Sequence, residues 1–158
     1  MKQIKDITIR NAEKSDYESV IKIMNQVQQM HVEWRPDIYK PNNNLISEDI
    51  FEKIIENGTF YVAETNDDVV GVLEIVFRHI ESPSHVTREV IFIDTMAIDE
   101  NFRGMGIGHQ MFGFLKKMKQ EKNYDAIELQ VNARNRAAYE MYQKCGFTKK
   151  SINMELID

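Results

Sequence analysis

Apolar positions along this chain alternate between two periods, and the switches between them mark its elements. Ile7–Arg10 reads as a short strand. Ser15-Asp-Tyr-Glu18 has capping-box spacing, so a helix is expected to start there, with Val20, Ile23, Met24, Val27 and Met30 as its buried stripe. Trp34-Arg-Pro36 ends that helix. A second, shorter helix capped by Ser47 should carry Ile50, Phe51, Ile54 and Ile55 on its apolar face and stop at Gly58. Strands at Thr59–Glu64 and Val69–Ile80 flank a hairpin-like turn at Thr65-Asn-Asp-Asp68. After a polar break at Glu81–Arg88 comes Val90–Ile98, apolar on both faces, which reads as a central strand covered on both sides. Gly106–Gln120 has helical periodicity, with Ile107, Met111, Phe114, Leu115 and Met118 on one face. Ile127, Leu129 and Val131 alternate with Glu128 and Gln130 as a half-buried strand. Asn135–Lys144 is a helix closed by Gly146, and Phe147–Ile157 is expected as a final strand.

The order β-α-α-β-β-β-α-β-α-β predicts an α/β (α+β) fold, a mixed, mostly antiparallel central sheet with helices on both faces. No repeat, low-complexity tract or linker divides the chain, so a single domain over residues 1–158 is expected. With 42% hydrophobic and 28% charged residues, the composition is that of an ordinary globular protein and excludes general disorder. The net charge of −5 argues against a generic nucleic-acid or anionic-membrane binder. Cys145 is the only cysteine, which rules out an internal disulfide and suits a reducing cytoplasm. No apolar run reaches the ~18 residues of a membrane helix, so a soluble, cytoplasmic protein is the simplest reading. The four histidines lack metal-ligand spacing, and no metal is expected.

Two stretches carry candidate chemistry. Arg103-Gly-Met-Gly-Ile-Gly108 lies where a buried strand hands over to an amphipathic helix. A helix start offers unpaired N–H groups and partial positive charge, glycines let backbone approach an anion, and Arg103 adds a forked cation. The dinucleotide fingerprint G-x-G-x-x-G fails, because His109 stands at its third glycine, and no Gly-Lys-Ser/Thr completes a P-loop. A tight turn that simply needs flexible residues is the alternative. The second stretch is Asn135-Arg-Ala-Ala-Tyr-Glu-Met-Tyr-Gln-Lys-Cys-Gly-Phe147, in which Asn135, Ala138 and Tyr142 share one helical face. They can line a narrow ligand channel, or equally form an N-cap, a core alanine and a buried tyrosine.

Together these stretches resemble the GNAT superfamily of acetyl-CoA-dependent N-acetyltransferases. The loop is similar to its R/Q-x-x-G-x-G/A signature, and the second stretch matches N-x-x-A-x-x-x-Y-x-x-x-G-F at every defined position. The resemblance implies that Arg103, Gly104, Met105, Gly106, Ile107 and Gly108 hold the cofactor pyrophosphate. It further implies that Met96, Ala97 and Ile98 offer backbone groups to pantetheine, and that Asn135 touches the cofactor; Arg136, beside it, is a candidate for contact with a cofactor phosphate. Tyr142 would be the general acid that protonates the leaving thiolate. A phenol of pKa ~10 stays protonated beside a thiol of ~8.5, so it suits that task. Tyr139 lies off that face and is assigned to the core.

Asp94 interrupts the most apolar strand, and a carboxylate there must be solvated or hydrogen-bonded. Counted back from Arg103, it matches a position where many family members carry an acid beside the acetyl group. A base, an anchor for the substrate amine and a structural role all stay open for it. Glu74 and Glu89 are weaker candidates, read as solvent-facing strand residues. Trp34, Asp37 and Tyr39, between the first two helices, are candidates for the acceptor pocket, with a packed lid as the alternative. The implied reaction is acetyl transfer from acetyl-CoA to a primary amine, such as a small amine or polyamine, by direct attack in a ternary complex. No Cys–His pair is apparent to serve as a covalent nucleophile. Protein N-terminal or lysine acetylation is one alternative, and a non-catalytic CoA-binding sensor another. A homodimer is left open.

Overall fold

The structure is a computed structural model, which describes residue 4 and residues 6–158. Its strands are β1 (Thr8–Asn11), β2 (Phe60–Thr65), β3 (Asp68–Ser82), β4 (His85–Ile98) and β5 (Ala126–Leu129). Its helices are α1 (Tyr17–Trp34), α2 (Glu48–Glu56), α3 (Ile107–Glu121) and α4 (Arg136–Lys144). The sheet order is β1-β2-β3-β4-β5, with every pair antiparallel except β4–β5. The parallel pair is where α3 crosses over between its strands, as a parallel connection requires.

Side chains of the two sheet faces separate into two cores. Tyr61, Leu73, Ile75, Ile91 and Ile93 pack with Ile107, Met111, Phe112 and Leu115 of α3. On the other face Phe60, Val62, Val72 and Ala97 meet Val20 and Ile23 of α1 and Phe51 of α2. Phe51 is the hinge of this second core, edge-on to Phe60 at 5.6 Å and tilted against Tyr17 at 5.6 Å. A fully buried phenylalanine of this kind is worth about 1.5–3 kcal/mol relative to exposure.

Local sequence accounts for most element ends. Ser47 Oγ accepts from the Ile50 amide at 3.3 Å and caps α2. Asn66 and Asp67 take φ of 50° and 65°, the left-handed pair that a tight β2–β3 hairpin demands. Elsewhere the structure corrects the expectations. The entry to α1 is closed by Asp16, whose carboxylate accepts from the Glu13 amide at 2.8 Å, rather than by Ser15. Arg10 holds the same carboxylate through two bonds of 2.8 and 3.0 Å, so Asp16 serves a capping box with Glu13 and a longer-range ion pair at once. Ile50 is 52% exposed and lies off the α2 core face. The supposed break at Glu81–Arg88 is ladder: β3 and β4 pair out to Ser82 and His85, turning only at Pro83-Ser84. Polar side chains are tolerated there because this end of the ribbon is exposed on both faces. Val131 falls outside β5, and the final strand expected over Phe147–Ile157 does not form. Residues 148–158 are exposed and without regular structure. No described helix is long and apolar enough to cross a membrane.

Candidate functional site

The strand β4 is built to change phase partway along. Glu74 pairs with Thr95 and Ile75 with Ile93, so Asp94 is the extra residue of a bulge. Before it Ile91 and Ile93 face α3; beyond it Met96 and Ile98 do. One inserted residue thus keeps both halves of the strand apolar towards the core and turns the Asp94 side chain out into solvent. The β4–β5 ladder runs only from Val90–Ala126 to Ile93–Leu129. Past that point β4 continues to Ile98 while β5 has ended, so Met96, Ala97 and Ile98 are paired only on their β3 side.

Directly after β4 the chain makes a 3₁₀ turn at Glu100–Phe102 and enters α3. Asp99, 3% exposed, organises this passage: one oxygen accepts from the Asn101 amide at 2.9 Å and Lys22 of α1 sits 3.2 Å from the other. Burial opposes its ionisation, but the Asn101 amide and Lys22 hold its pKa below the ordinary value. Gly104 and Gly106 follow with φ of 74° and 86°, a left-handed pair that residues with a Cβ adopt only at a cost. Gly106 is the N-cap of α3 and offers no side-chain cap, so among the described residues the first-turn amides of Ile107, Gly108 and His109 have no backbone acceptor. That is an anion-binding end of a helix. Gly108 is needed for a different reason: a Cβ there would stand 2.8 Å from the Met141 sulfur of α4. Arg103 is exposed, and its Nε donates to the Ile98 carbonyl at 3.2 Å. It also borders an open groove of about 510 Å³ along α1, lined by Lys22, Gln26, Asn43 and Glu100 among others.

α4 starts at the predicted asparagine. Asn135 Oδ1 caps it by accepting from the Ala138 amide at 3.2 Å, which leaves the side-chain NH₂ free to donate. Tyr142 stands on the core-facing side, edge-on to Phe112 at 5.7 Å and tilted to Phe147 at 5.9 Å. Burial pushes its phenol pKa up, and its hydroxyl has no hydrogen-bond partner among the described residues. Tyr139, assigned to the core, is instead half-buried, with its hydroxyl accepting from Gln143 at 3.1 Å and Lys149 over its ring. Arg136 is exposed.

Two carboxylates meet at the bulge. Glu74 is half-buried, and its pKa is raised by burial and then by the charge of Asp94. Reading Glu74 as a solvent-facing strand residue missed this, because only the bulge brings Asp94 beside it. Glu89, the other weaker candidate, pairs with His79 on the exposed ribbon.

The segment between α1 and α2 is knitted together. His31 stacks on Tyr39 at 4.8 Å and lies 5.9 Å from Trp34, and burial lowers the His31 pKa. Asp37 is engaged by Arg35 at 2.6 Å, which holds its pKa down. The Trp34 carbonyl accepts from Arg134 at 2.7 Å, tying this segment to the loop before α4. Cys145 Sγ lies 3.3 Å from His109 Nδ1, so a Cys–His pair exists, formed across α3 and α4 and invisible to spacing. Burial raises the thiol pKa, with Lys116 only partly opposing, so the pair does not present an activated thiolate. Among the described residues no cluster of three or more metal-ligating side chains occurs.

The profile of the acetyltransferase (GNAT) family matches residues 24–147. The chain is 30% identical over 93 residues to the uncharacterized N-acetyltransferase MJ1207 of Methanocaldococcus jannaschii, a match covering 59% of this chain and 40% of that protein. It thus spans less than half the length of that relative. It is 27% identical to the N-alpha-acetyltransferase of Sulfurisphaera tokodaii, over 96% of this chain and 86% of that one. Among solved structures, a mutant of the BH1408 protein from Bacillus halodurans superposes with a TM-score of 0.85 at 28% identity, covering 95% of this chain and 98% of that one.

Proposed function

Because the chain belongs to the acetyltransferase (GNAT) family, a family of acyltransferase enzymes, we propose that it transfers the acetyl group of acetyl-CoA to a primary amine, acting as one cytoplasmic domain over residues 1–158. The observation that carries this reading is the conjunction at the end of β4. The ladder to β5 stops at Ile93–Leu129, and the strand then runs into left-handed glycines and a helix start with open amides. A long ligand with an anionic middle and an extended arm fits that arrangement. The Gly104–Gly108 amides and Arg103 would take the pyrophosphate, the free edge of Met96–Ile98 the amide-bearing arm, and the Asn135 NH₂ and Arg136 the groups nearby. Turning towards a phosphate, Arg103 would give up only one bond to Ile98.

The chemistry then divides among this chain's own groups. A β4 amide at the bulge polarises the thioester carbonyl. The amine nitrogen forms the new C–N bond as the C–S bond breaks. Glu74, with its raised pKa, accepts the proton the amine loses, directly or through water, and the Tyr142 hydroxyl donates one to the departing sulfur. The exposed carboxylate of Asp94 attracts the cationic form of the acceptor to the cleft. This reading favours Glu74 over Asp94 as base, because a half-buried carboxyl is better matched to neutral pH. Trp34 and Tyr39 would shape the acceptor side, with Asp37 holding that segment through Arg35 rather than meeting substrate.

A small amine or polyamine is the proposed acceptor class, in keeping with the paired acids at the bulge. A peptide N-terminus is the second reading, favoured by the near full-length match to an N-alpha-acetyltransferase. Titration with acetyl-CoA followed by a thiol-release screen across amines and peptides tests the proposal. Binding should be weakened at least about a hundredfold by Gly106→Glu, which drives a carboxylate into the anion site. A wild-type protein that binds acetyl-CoA but releases no thiol with any acceptor supports a sensor instead. Unchanged binding in Gly106→Glu sinks the site itself.

A further inference from the structure

The carbonyl of Trp34 takes its partner from the far side of the fold. Trp34 is the last residue of α1, where a helix leaves its carbonyls without internal donors. No backbone amide outside the helix reaches this one among the described residues. The Arg134 guanidinium donates to it instead at 2.7 Å, a cation at the negative end of a helix. The charge of Arg134 also helps to lower the Asp37 pKa, so it is felt along the exit from α1. His31 packs against both Trp34 and Tyr39, so whatever fixes the Trp34 backbone fixes an aromatic unit.

At its other end Arg134 is firmly mounted. Asn132 Oδ1 accepts from the Arg134 amide at 2.9 Å, and the Asn132 carbonyl accepts from the Asn135 amide at 2.9 Å. An asparagine side chain thus locks the turn, and the Arg134 backbone cannot shift without Asn135, the cap of α4. Among the described residues this is the only side-chain hydrogen bond that joins Trp34–Tyr39 to the loop before α4. Arg35, the neighbouring cation, binds Asp37 within the segment and Glu155 in the tail. Arg134 is exposed, and a single charged contact in water holds weakly, so the tie is only as steady as its mount.

We propose that Arg134 is a positioning residue that couples the two halves of the site: acetyl-CoA, by engaging Asn135 and Arg136, stills the Asn132–Asn135 turn, and Arg134 passes that order to Trp34 and the aromatic unit on the acceptor side. This inference rests on the cofactor assignment of the proposed function. Arg134 touches no reacting atom; it acts through a backbone carbonyl. The coupling needs no change of shape. A ligand that removes motion at one site lowers the ordering cost left for the next, which makes cofactor and amine bind cooperatively. A merely structural Arg134 would hold the end of α1 equally well with and without cofactor.

Trp34 is the sole tryptophan, so its fluorescence reports on this segment alone. Acrylamide quenching is measured on the full chain with and without saturating CoA, and calorimetry gives the CoA affinity in parallel. In the wild type, CoA should lower the Trp34 quenching constant about twofold or more. Arg134→Met keeps the length of the side chain and removes its donors. Its CoA affinity should stay within about threefold of wild type, while the protection of Trp34 by CoA is lost. Arg134→Lys restores a cation and a donor and should recover most of that protection. CoA that binds the wild type without protecting Trp34, or protection that survives in Arg134→Met, overturns the coupling and leaves the acetyltransferase reading intact. Absence of CoA binding to the wild type sinks that reading, and the coupling with it.

Discussion

Replacing Tyr142 with phenylalanine isolates one atom of the proposed mechanism. The ring packs on Phe112 and Phe147 at 5.7 and 5.9 Å, and its hydroxyl bonds to nothing among the described residues. Tyr142→Phe therefore leaves the packing intact, and stability should change by no more than about 0.5 kcal/mol. The proposed anion site is made by the glycine loop's amides and Arg103 rather than by this hydroxyl, so acetyl-CoA affinity should hold within about threefold. What is lost is the proton donor to sulfur. A positioned general acid contributes about 10²–10⁴-fold, equivalent to roughly 3–5 kcal/mol of barrier. Burial raises the phenol pKa, so the wild-type group remains protonated through and beyond the neutral range. The assay is single-turnover thiol release at saturating acetyl-CoA and acceptor, which keeps product release from masking the chemical step. A rate within about threefold of wild type would refute the assignment, since no general acid of that strength contributes so little.

Asp94→Asn removes the charge that helps hold Glu74 up, so the acid limb of the pH–kcat/KM profile should move to lower pH; Glu74→Gln should abolish that limb, and an unchanged profile in both excludes this pair as the base. At Asp16 burial opposes ionisation, but Arg10 prevails and lowers its pKa. Its stabilisation is therefore present above the unfolded carboxylate value near ~4 and fades as pH falls through the lowered folded value. Asp16→Asn should cost about 1–3 kcal/mol at pH 7, with the Tm gap to wild type closing as pH falls below about 4; a gap independent of pH contradicts the ion-pair account. Gly108→Val should cost about 1–3 kcal/mol by forcing α3 off Met141, whereas Gly108→Ala needs only the thioether to swing aside; equal Tm values for the two would show that this contact is not tight.

How much was legible follows from the range of each interaction. Period and punctuation act within a few residues, so the order of the nine formed elements, the Ser47 and Asn135 caps, the left-handed turn at Asn66-Asp67 and the glycine-rich start of α3 were readable from sequence. The motif faces were readable for the same reason, because Asn135, Ala138 and Tyr142 are brought together by helical geometry alone. Features made by distant partners were not. Arg10 reaches six residues to grip the capping carboxylate of Asp16, and Cys145 meets His109 across two helices. Glu74 gained its character only when a bulge displaced Asp94 towards it, and a bulge is settled by pairing between strands rather than by either strand's pattern. The tail marks the limit of both. Its alternation specifies a strand, but a strand needs an edge to hydrogen-bond to, and the fold of one chain leaves that edge and that tail apart.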